Sequence, residues 1–322
     1  MLKLRYLFEN YDLARLALTR YPHDAAQLDK TLSHFRISAN AVYPFLRGGQ
    51  LCFLRLAPEE EKGLRHVQAE IDFIEYLRRH DYPAMKPIPN SAGETAWLLD
   101  SPWGRWCVSA FEGVKGRPVE DASPTPQLLH AMGAVLAQLH TLAAEYHPCP
   151  LPTHTDILAQ VQQTLRSCGA PEGIVHRLDH VARNLSALPV TPETYGPLHY
   201  DFEPDNVFWD GESLCVIDFD DAMQGWFALD VEQALDSLNS EFGIRNSELR
   251  ETFMSGYRSV RPFTQEMEAQ RALMRQFVDL RHYARLLHCL SEEISGPEWL
   301  EGLKARLAQA KIRLENEIVS AK

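Results

Sequence analysis

The chain has 322 residues, 45% of them hydrophobic and 24% charged, enough apolar material for one large core or two moderate ones and too little charge for wholesale disorder. A formal net charge of −12 argues against a nucleic-acid partner, because phosphates are neutralised by clustered Lys and Arg. No apolar run reaches the roughly 20 residues of a membrane helix, and the start, MLKLRYLFENYDLARL, lacks a signal-peptide core, so the expectation is a cytoplasmic protein with no membrane contact.

In chain order, residues 32–37 and 50–56 read as strands, the second nearly all apolar except Arg55, with Arg47-Gly48-Gly49 as a hairpin turn between them. Residues 59–79 read as a helix, because Val67, Ile71, Ile74 and Leu77 form an apolar stripe at helical spacing. Two further strands are expected at 95–99 and 105–111. A glycine-containing joint, Glu112-Gly113-Val114-Lys115-Gly116, follows, and the pattern then turns helical: 126–146, 156–168, 227–240, 247–257 and two long segments from 264 to the end. The exception is 196–217, where two short apolar runs flank Asp210-Gly211, a strong hairpin signal. The expected fold class is α+β, with a sheet-rich lobe over residues 1–112 and a larger helical lobe over 113–322.

The six cysteines, Cys52, Cys107, Cys149, Cys168, Cys215 and Cys289, are scattered without a CxxC pair, which fits a reduced compartment rather than a zinc or disulfide framework. The acidity is local. Between residues 184 and 244 stand thirteen Asp or Glu and no Lys or Arg, whereas acids and bases nearly cancel over the rest of the chain.

That acidic stretch holds His199-Tyr200-Asp201-Phe202-Glu203-Pro204-Asp205-Asn206, then the hairpin, then Ile217-Asp218-Phe219-Asp220. Asp201 and Asn206 stand at the two ends of a loop, and the hairpin folds Asp218 back beside Asn206. Two oxygen ligands then converge, with a third carboxylate one loop away. A hard cation such as Mg²⁺ takes carboxylate and amide oxygens and shares its shell with nucleotide phosphates. A separate carboxylate is needed to orient an attacking hydroxyl and take its proton. Asn206 and Asp218 suit the metal and Asp201 suits the base.

H-x-D-x-x-x-x-N followed by an I-D-F-D strand end resembles the aminoglycoside phosphotransferase and choline kinase group, small-molecule kinases with the protein-kinase-like two-lobed fold. The resemblance covers roughly residues 30 to 240. It implies ATP and Mg²⁺ in a cleft between the lobes and a hydroxyl of a small molecule as acceptor. It also makes Arg55, where the family has a strand cation more often Lys, the group that holds nucleotide phosphate, and Glu70 the acid that orients it. Ser38 and Asn40 fall in the nucleotide loop, which here has no glycine. Ala110 and Glu112 fall in the connector whose backbone holds adenine. His140 reads as a packed core histidine, His199 as a brace of the catalytic loop, and Asp230, ahead of an apolar helical stretch, as an N-cap; the resemblance implies that Asp230 also stabilises the catalytic loop.

The excess of acids around Asp201, notably Glu203, Asp205, Asp220, Asp221, Glu232 and Asp236, points to a cationic acceptor such as an aminoglycoside, an amino alcohol or a homoserine-like amino acid. Two other readings stand beside this one. A protein kinase would need a long segment after the metal Asp, and only residues 220–225 separate Asp218 from the next helix. A pseudokinase that binds nucleotide without turnover would fit the missing glycines but not the presence of Asp201, Asn206 and Asp218.

Overall fold

The computed structural model describes residues 2–242 and 247–320. Ile244, the end of the acid-rich stretch, and the last two residues of the final predicted helix lie outside them. Two short helices, α1 (Tyr11–Leu18) and α2 (Leu28–Leu32), lead into an antiparallel sheet of five strands. These are β1 (Arg36–Ile37), β2 (Ala41–Arg47), β3 (Gln50–Pro58), β4 (Ala96–Ser101) and β5 (Gly104–Glu112), in the order β1-β2-β3-β5-β4.

The strand expected at 32–37 is only β1. Ser33 Oγ and His34 Nδ1 fold back onto the Lys30 carbonyl (2.8 and 3.0 Å) and keep that segment at a helix end. β2 follows the turn at 38–40, and its Pro44 sits on the part of β2 that β1 does not pair, where a missing N–H is tolerated.

Period-2 alternation along β3 sends Cys52, Leu54 and Leu56 to one face, where they pack with Tyr43, Phe45, Val108 and the α1 residues Leu13 and Ala17. Arg55 therefore points to the other face. That face is covered by α3 (Leu64–Arg79), which starts five residues later than its apolar pattern proposes because 59–63 form a turn. Val67, Glu70, Ile71, Ile74 and Leu77 share the buried side of α3, so Glu70 is carried inward with the apolar stripe.

After β5 the connector runs into β6 (Arg117–Pro118). Gly116 has φ +86°, and a Cβ there would stand 2.4 Å from the Trp209 carbonyl, so the joint can only hug the second sheet as glycine. The helical half contains α4 (Pro126–Ala143), α5 (His154–Ser167) and α6 (Glu172–Ser186), the last unforeseen. β7 (Tyr195–Leu198), β8 (Val207–Trp209), β9 (Leu214–Val216) and β10 (Met223–Trp226) follow, then α7 (Phe227–Phe242), α8 (Ser247–Val260), α9 (Gln265–Cys289) and α10 (Glu298–Ser320). The Asp210-Gly211 turn pairs β8 with β9 as expected, and β6 extends that ribbon. β7 pairs instead with β10, a strand that the sequence pattern does not reveal.

The helical core is continuous with the buried side of α3. Each fully buried Leu, Ile or Phe in it contributes about 1.5–3 kcal/mol of transfer free energy. Its tightest contact is α4 against α8: a Cβ on Gly133 would lie 2.0 Å from the Phe253 carbonyl, and one on Gly256 would lie 1.9 Å from the His130 carbonyl. Alanine at either position would force the two helices apart. The six cysteines are all free. Among the described residues no helix is long and apolar enough to cross a membrane.

Candidate active site

The loop between β7 and β8 is shaped by three buried polar groups. Asp230 lies in the first turn of α7 and does not cap it, since the helix already begins at Phe227. Its carboxylate turns to the loop instead, accepting the backbone N–H of His199 (Oδ2, 2.8 Å) and of Tyr200 (Oδ1, 2.6 Å). Tyr200 has φ +65°, an uncommon conformation for a bulky residue, and these bonds hold it there. His140 Nε2 approaches the same carboxylate at 3.1 Å while its Nδ1 meets Tyr257 Oη at 2.8 Å. Burial holds His140 below the usual imidazole range, so a neutral ring accepts from Tyr257 and donates to Asp230. It is the packed core histidine the sequence suggests, stacked on Phe227 at 4.5 Å.

His199 is also buried, and burial pushes it down as well. Its Nδ1 accepts the Asp201 N–H (3.2 Å), which leaves Nε2 to donate to the Ile217 carbonyl (2.9 Å). One neutral imidazole thus ties the residue before Asp218 to the residue that carries the loop carboxylate.

Asn206 completes the loop. Its amide nitrogen donates to Asp201 Oδ2 (2.9 Å) and to the Asp201 carbonyl (3.0 Å), which turns its Oδ1 away and leaves it to act as a ligand oxygen. The register Val207↔Val216, with Ile217 N–H on the Asn206 carbonyl at 2.9 Å, brings Asp218 alongside. Asp218 adopts φ +60°, and its side chain keeps 42% of its surface exposed in an otherwise buried acidic cluster. Burial and then the Asp220 carboxylate push its carboxyl up to about 7, against the pull of Arg55. Burial, followed by Asp221, Glu203 and Asp218, holds Asp201 well above the usual carboxylate range.

Among the described residues no three His, Cys, Asp or Glu side chains form a metal cage by themselves. An amide oxygen with one exposed carboxylate is the partial, all-oxygen set that suits Mg²⁺ completed by phosphates and water. The group fits the residues present.

From the other half, Arg55 makes a bidentate pair with Glu70 (Nη1–Oε1 2.7 Å, Nη2–Oε2 2.6 Å), and its Nε donates to Ser109 Oγ at 3.1 Å. Both partners are buried, and the guanidinium lies 3.5 Å from Asp220 and 3.9 Å from Asp218. The structure therefore brings Arg55, Glu70, Asp218, Asn206 and Asp201 into one cleft.

Other expected positions are less clear. Ser38 and Asn40 form the short turn between β1 and β2. Ser38 is exposed, whereas Asn40 is buried and its Oδ1 has no partner among the described residues. The Ala110 carbonyl accepts the Ile88 N–H (2.8 Å) and the Glu112 N–H donates to the Lys86 carbonyl (2.9 Å). Those two backbone groups are committed within the protein.

The sequence profile of the phosphotransferase enzyme family matches residues 36–268. The chain belongs to that family. It is 23% identical over 197 residues to amicoumacin kinase of Bacillus subtilis (strain 168), covering 60% of this chain and 58% of that protein. It is 29% identical over 225 residues to homoserine kinase of Caulobacter vibrioides (strain NA1000 / CB15N), covering 64% and 69%. The match to the amicoumacin kinase thus spans less than two thirds of that relative's length. Among solved structures, amicoumacin kinase hAmiN in complex with AMP-PNP, Ca²⁺ and Ami superposes with TM-score 0.78 at 20% identity, over 99% of this chain and 97% of that one. A microcompartment-associated aminopropanol kinase gives 0.66 at 22% identity, over 97% and 98%. The fold is the two-part kinase-like one, sheet-rich then helical.

Several site residues escape a reading of the sequence. Lys62, in the turn before α3, is ion-paired with the Asp220 carboxylate and donates to the Asp220 carbonyl at 2.7 Å. Arg281 and Arg285 of α9 clamp Asp221 and, although burial works the other way, hold it well below the usual carboxylate range. Arg281 also lies 3.8 Å above the Tyr200 ring. Two arginines four apart on a helix face lined by Leu280, Tyr283, Ala284 and Leu287 were the available signal; for Lys62 there was none.

The six acids counted as a one-signed cleft are mostly answered. Asp205 pairs with Arg36 (3.3 Å), Asp220 with Lys62, Asp221 with Arg281 and Arg285, Glu232 with Arg271 (2.6 Å), and Asp236 with Arg275. Glu203 alone of the six shows no ion pair among the described residues, and burial and then Asp205 raise its carboxyl.

Proposed function

We propose that the chain transfers the γ-phosphoryl group of ATP to a hydroxyl of a small molecule, with residues 1–112 holding the nucleotide and 113–322 supplying the base, the metal ligands and the acceptor pocket. The observation that carries this is the Asp201–Asn206 contact at 2.9 Å beside Asp218, facing the buried Arg55–Glu70 pair across the cleft. Bound Mg²⁺ would neutralise charge on the β- and γ-phosphates. Asn206 and Asp218 would hold it.

Asn206 fixes Asp201 by one oxygen, so the carboxylate meets the acceptor hydroxyl in a set orientation. Its raised proton affinity makes it a better base than a solvated Asp. Asp201 takes the hydroxyl proton as the acceptor oxygen bonds to the γ-phosphorus and the bond to the bridging oxygen of ADP breaks. Arg55, held by Glu70, presents a planar cation to the phosphates. Ser38 and Asn40, in the turn between β1 and β2, would hold a phosphate by hydrogen bonds.

An acceptor bearing an amine remains the preferred class, now on narrower grounds: Glu203, two residues from Asp201, carries the charge that no cation among the described residues answers. Between Asp218 and α7 lie only a short turn and β10, which leaves no docking segment for a peptide substrate.

A thermal-shift screen with Mg²⁺ and a non-hydrolysable ATP analogue, repeated with amino alcohols, hydroxy amino acids and aminoglycosides, tests the proposal, because a ligand of the native state raises Tm. Turnover is then read as ADP release. No Mg²⁺-dependent shift with nucleotide would refute it; a shift without ADP release on any acceptor would favour a nucleotide-binding pseudoenzyme.

A further inference from the structure

We propose that Lys62 is a positioning residue of the nucleotide site: by neutralising Asp220 it leaves the Arg55 guanidinium on Glu70 and available to a nucleotide phosphate. The proposal rests on the reading of Arg55 as the phosphate-holding cation.

Three carboxylates crowd this guanidinium. Glu70 takes both of its Nη groups, while Asp220 and Asp218 stand 3.5 and 3.9 Å from Nη1. A single planar cation can satisfy one carboxylate in bidentate fashion, so Asp220 competes with Glu70 for Arg55. Asp220 cannot turn to water, because only 6% of its side chain is exposed, and a buried carboxylate without a partner is costly.

Lys62 resolves the competition. Its Nζ, 15% exposed, sits on the Asp220 carboxylate and donates to the Asp220 carbonyl at 2.7 Å. His66 Nε2 reaches the same carbonyl at 3.1 Å. The turn that carries Lys62 is pinned in turn: Cys107 Sγ contacts the Lys62 carbonyl at 3.1 Å, and Glu61 meets His288 of α9 at 2.6 Å.

Lys62 thus sits on the short segment joining the strand of Arg55 to the helix of Glu70, and grips the turn that follows Asp218. With it, two cations face the carboxylates of Glu70, Asp218 and Asp220. Without it, Arg55 alone faces all three. Two consequences are then separable. The guanidinium is drawn toward Asp220 and the pocket gains one negative charge, so a nucleotide polyanion binds less well. A bare divalent cation meets a more negative site and loses nothing.

Calorimetry with the Mg²⁺ complex of a non-hydrolysable ATP analogue, and Mn²⁺ binding followed by electron paramagnetic resonance without nucleotide, test this on the full chain. The variants are Lys62→Met, Lys62→Arg, Asp220→Asn and the Lys62→Met/Asp220→Asn double mutant. Lys62→Met is expected to raise the nucleotide Kd about tenfold, the order expected when one unit charge near the phosphates is lost at an intermediate dielectric, with Mn²⁺ affinity unchanged or tighter. Lys62→Arg should recover most of the loss. In the Asp220→Asn background, Lys62→Met should add less than about twofold, because the charge it answers is gone.

An undiminished loss in that background would show that Lys62 contacts the nucleotide directly and would overturn the proposal. So would a parallel loss of Mn²⁺ and nucleotide binding, the mark of a merely structural role, or no loss at all. Wild-type protein that binds no nucleotide would overturn the phosphotransfer reading itself, and this proposal with it.

Discussion

The two sides of the cleft both neutralise buried acids, but they recruit the cations from different distances. On the side proposed to hold the nucleotide, Arg55, Lys62 and Glu70 lie within sixteen residues on β3, a turn and α3, and only Asp220 comes from afar. On the side proposed to hold the acceptor, Asp221, Glu232 and Asp236 are answered by Arg281, Arg285, Arg271 and Arg275, all on α9. Glu232 and Asp236 are four apart on α7, and so are Arg271 and Arg275 on α9, so the pairs meet rung by rung. A pair close in sequence is set by the periods of one strand and one helix. A pair 39 to 64 residues apart depends on how helices pack, and local net charge says little about it.

The largest expected effect lies where the two sides meet. Asp201→Asn should lower kcat by about 10²–10⁴-fold, the usual range for a positioned base, and change nucleotide affinity little. Steady-state turnover beside a nucleotide titration checks both halves, and a variant that keeps more than about a tenth of the rate would remove Asp201 from that role.

The nucleotide side is sharpened by a double-mutant cycle. Glu70→Ala leaves a buried guanidinium without its bidentate partner and should cost about 3–5 kcal/mol of stability. Arg55→Ala and the double mutant complete the cycle in denaturant melts. The double mutant should be no less stable than Glu70→Ala alone; fully additive losses would show that the pair is not coupled.

Acid should loosen the acceptor-side loop first. Burial lowers His140 and His199 below the usual imidazole value of about 6.5, so the unfolded chain binds protons that the folded one refuses. Their contribution is complete above about pH 6.5 and is lost as pH falls from there toward the folded values, at most about 1.4 kcal/mol per pH unit for each ring. The raised carboxyls of Asp201 and Asp218 add stability as pH falls over the same range, but they do so equally in wild type and in His140→Gln. The Tm advantage of wild type over His140→Gln should therefore narrow from pH 7.5 to 5.5. An unchanged gap would mean that the His140 ring is not held neutral.

The smallest effect concerns Glu203. Glu203→Gln should raise KM for a cationic acceptor a few-fold and weaken its dependence on salt, since screening shortens from about 10 Å at 0.1 M to about 3 Å at 1 M. An unchanged KM would place the acceptor's charge elsewhere.

Much of the reactive loop was legible because its geometry is local. Asp201, Asn206 and Asp218 sit at fixed spacings around a turn that Asp210-Gly211 signals. Alternation along β3 puts Arg55 opposite Leu54 and Leu56, and the stripe of α3 carries Glu70 inward. The nucleotide turn was less so. Ser38 and Asn40 were placed in it, but the Ala110 and Glu112 backbone groups proved to be held by the segment at 86–88.

The sequence by itself determined the loop–hairpin–strand unit, the face of Arg55 and the family, because each follows from residue spacing within one element or one turn. The tertiary structure alone decided that β7 pairs with β10, that α4 and α8 touch at Gly133 and Gly256, and which cation answers each acid. Those outcomes depend on elements brought together across tens or hundreds of residues, where steric fit and buried charge are settled by packing and leave no period in the chain.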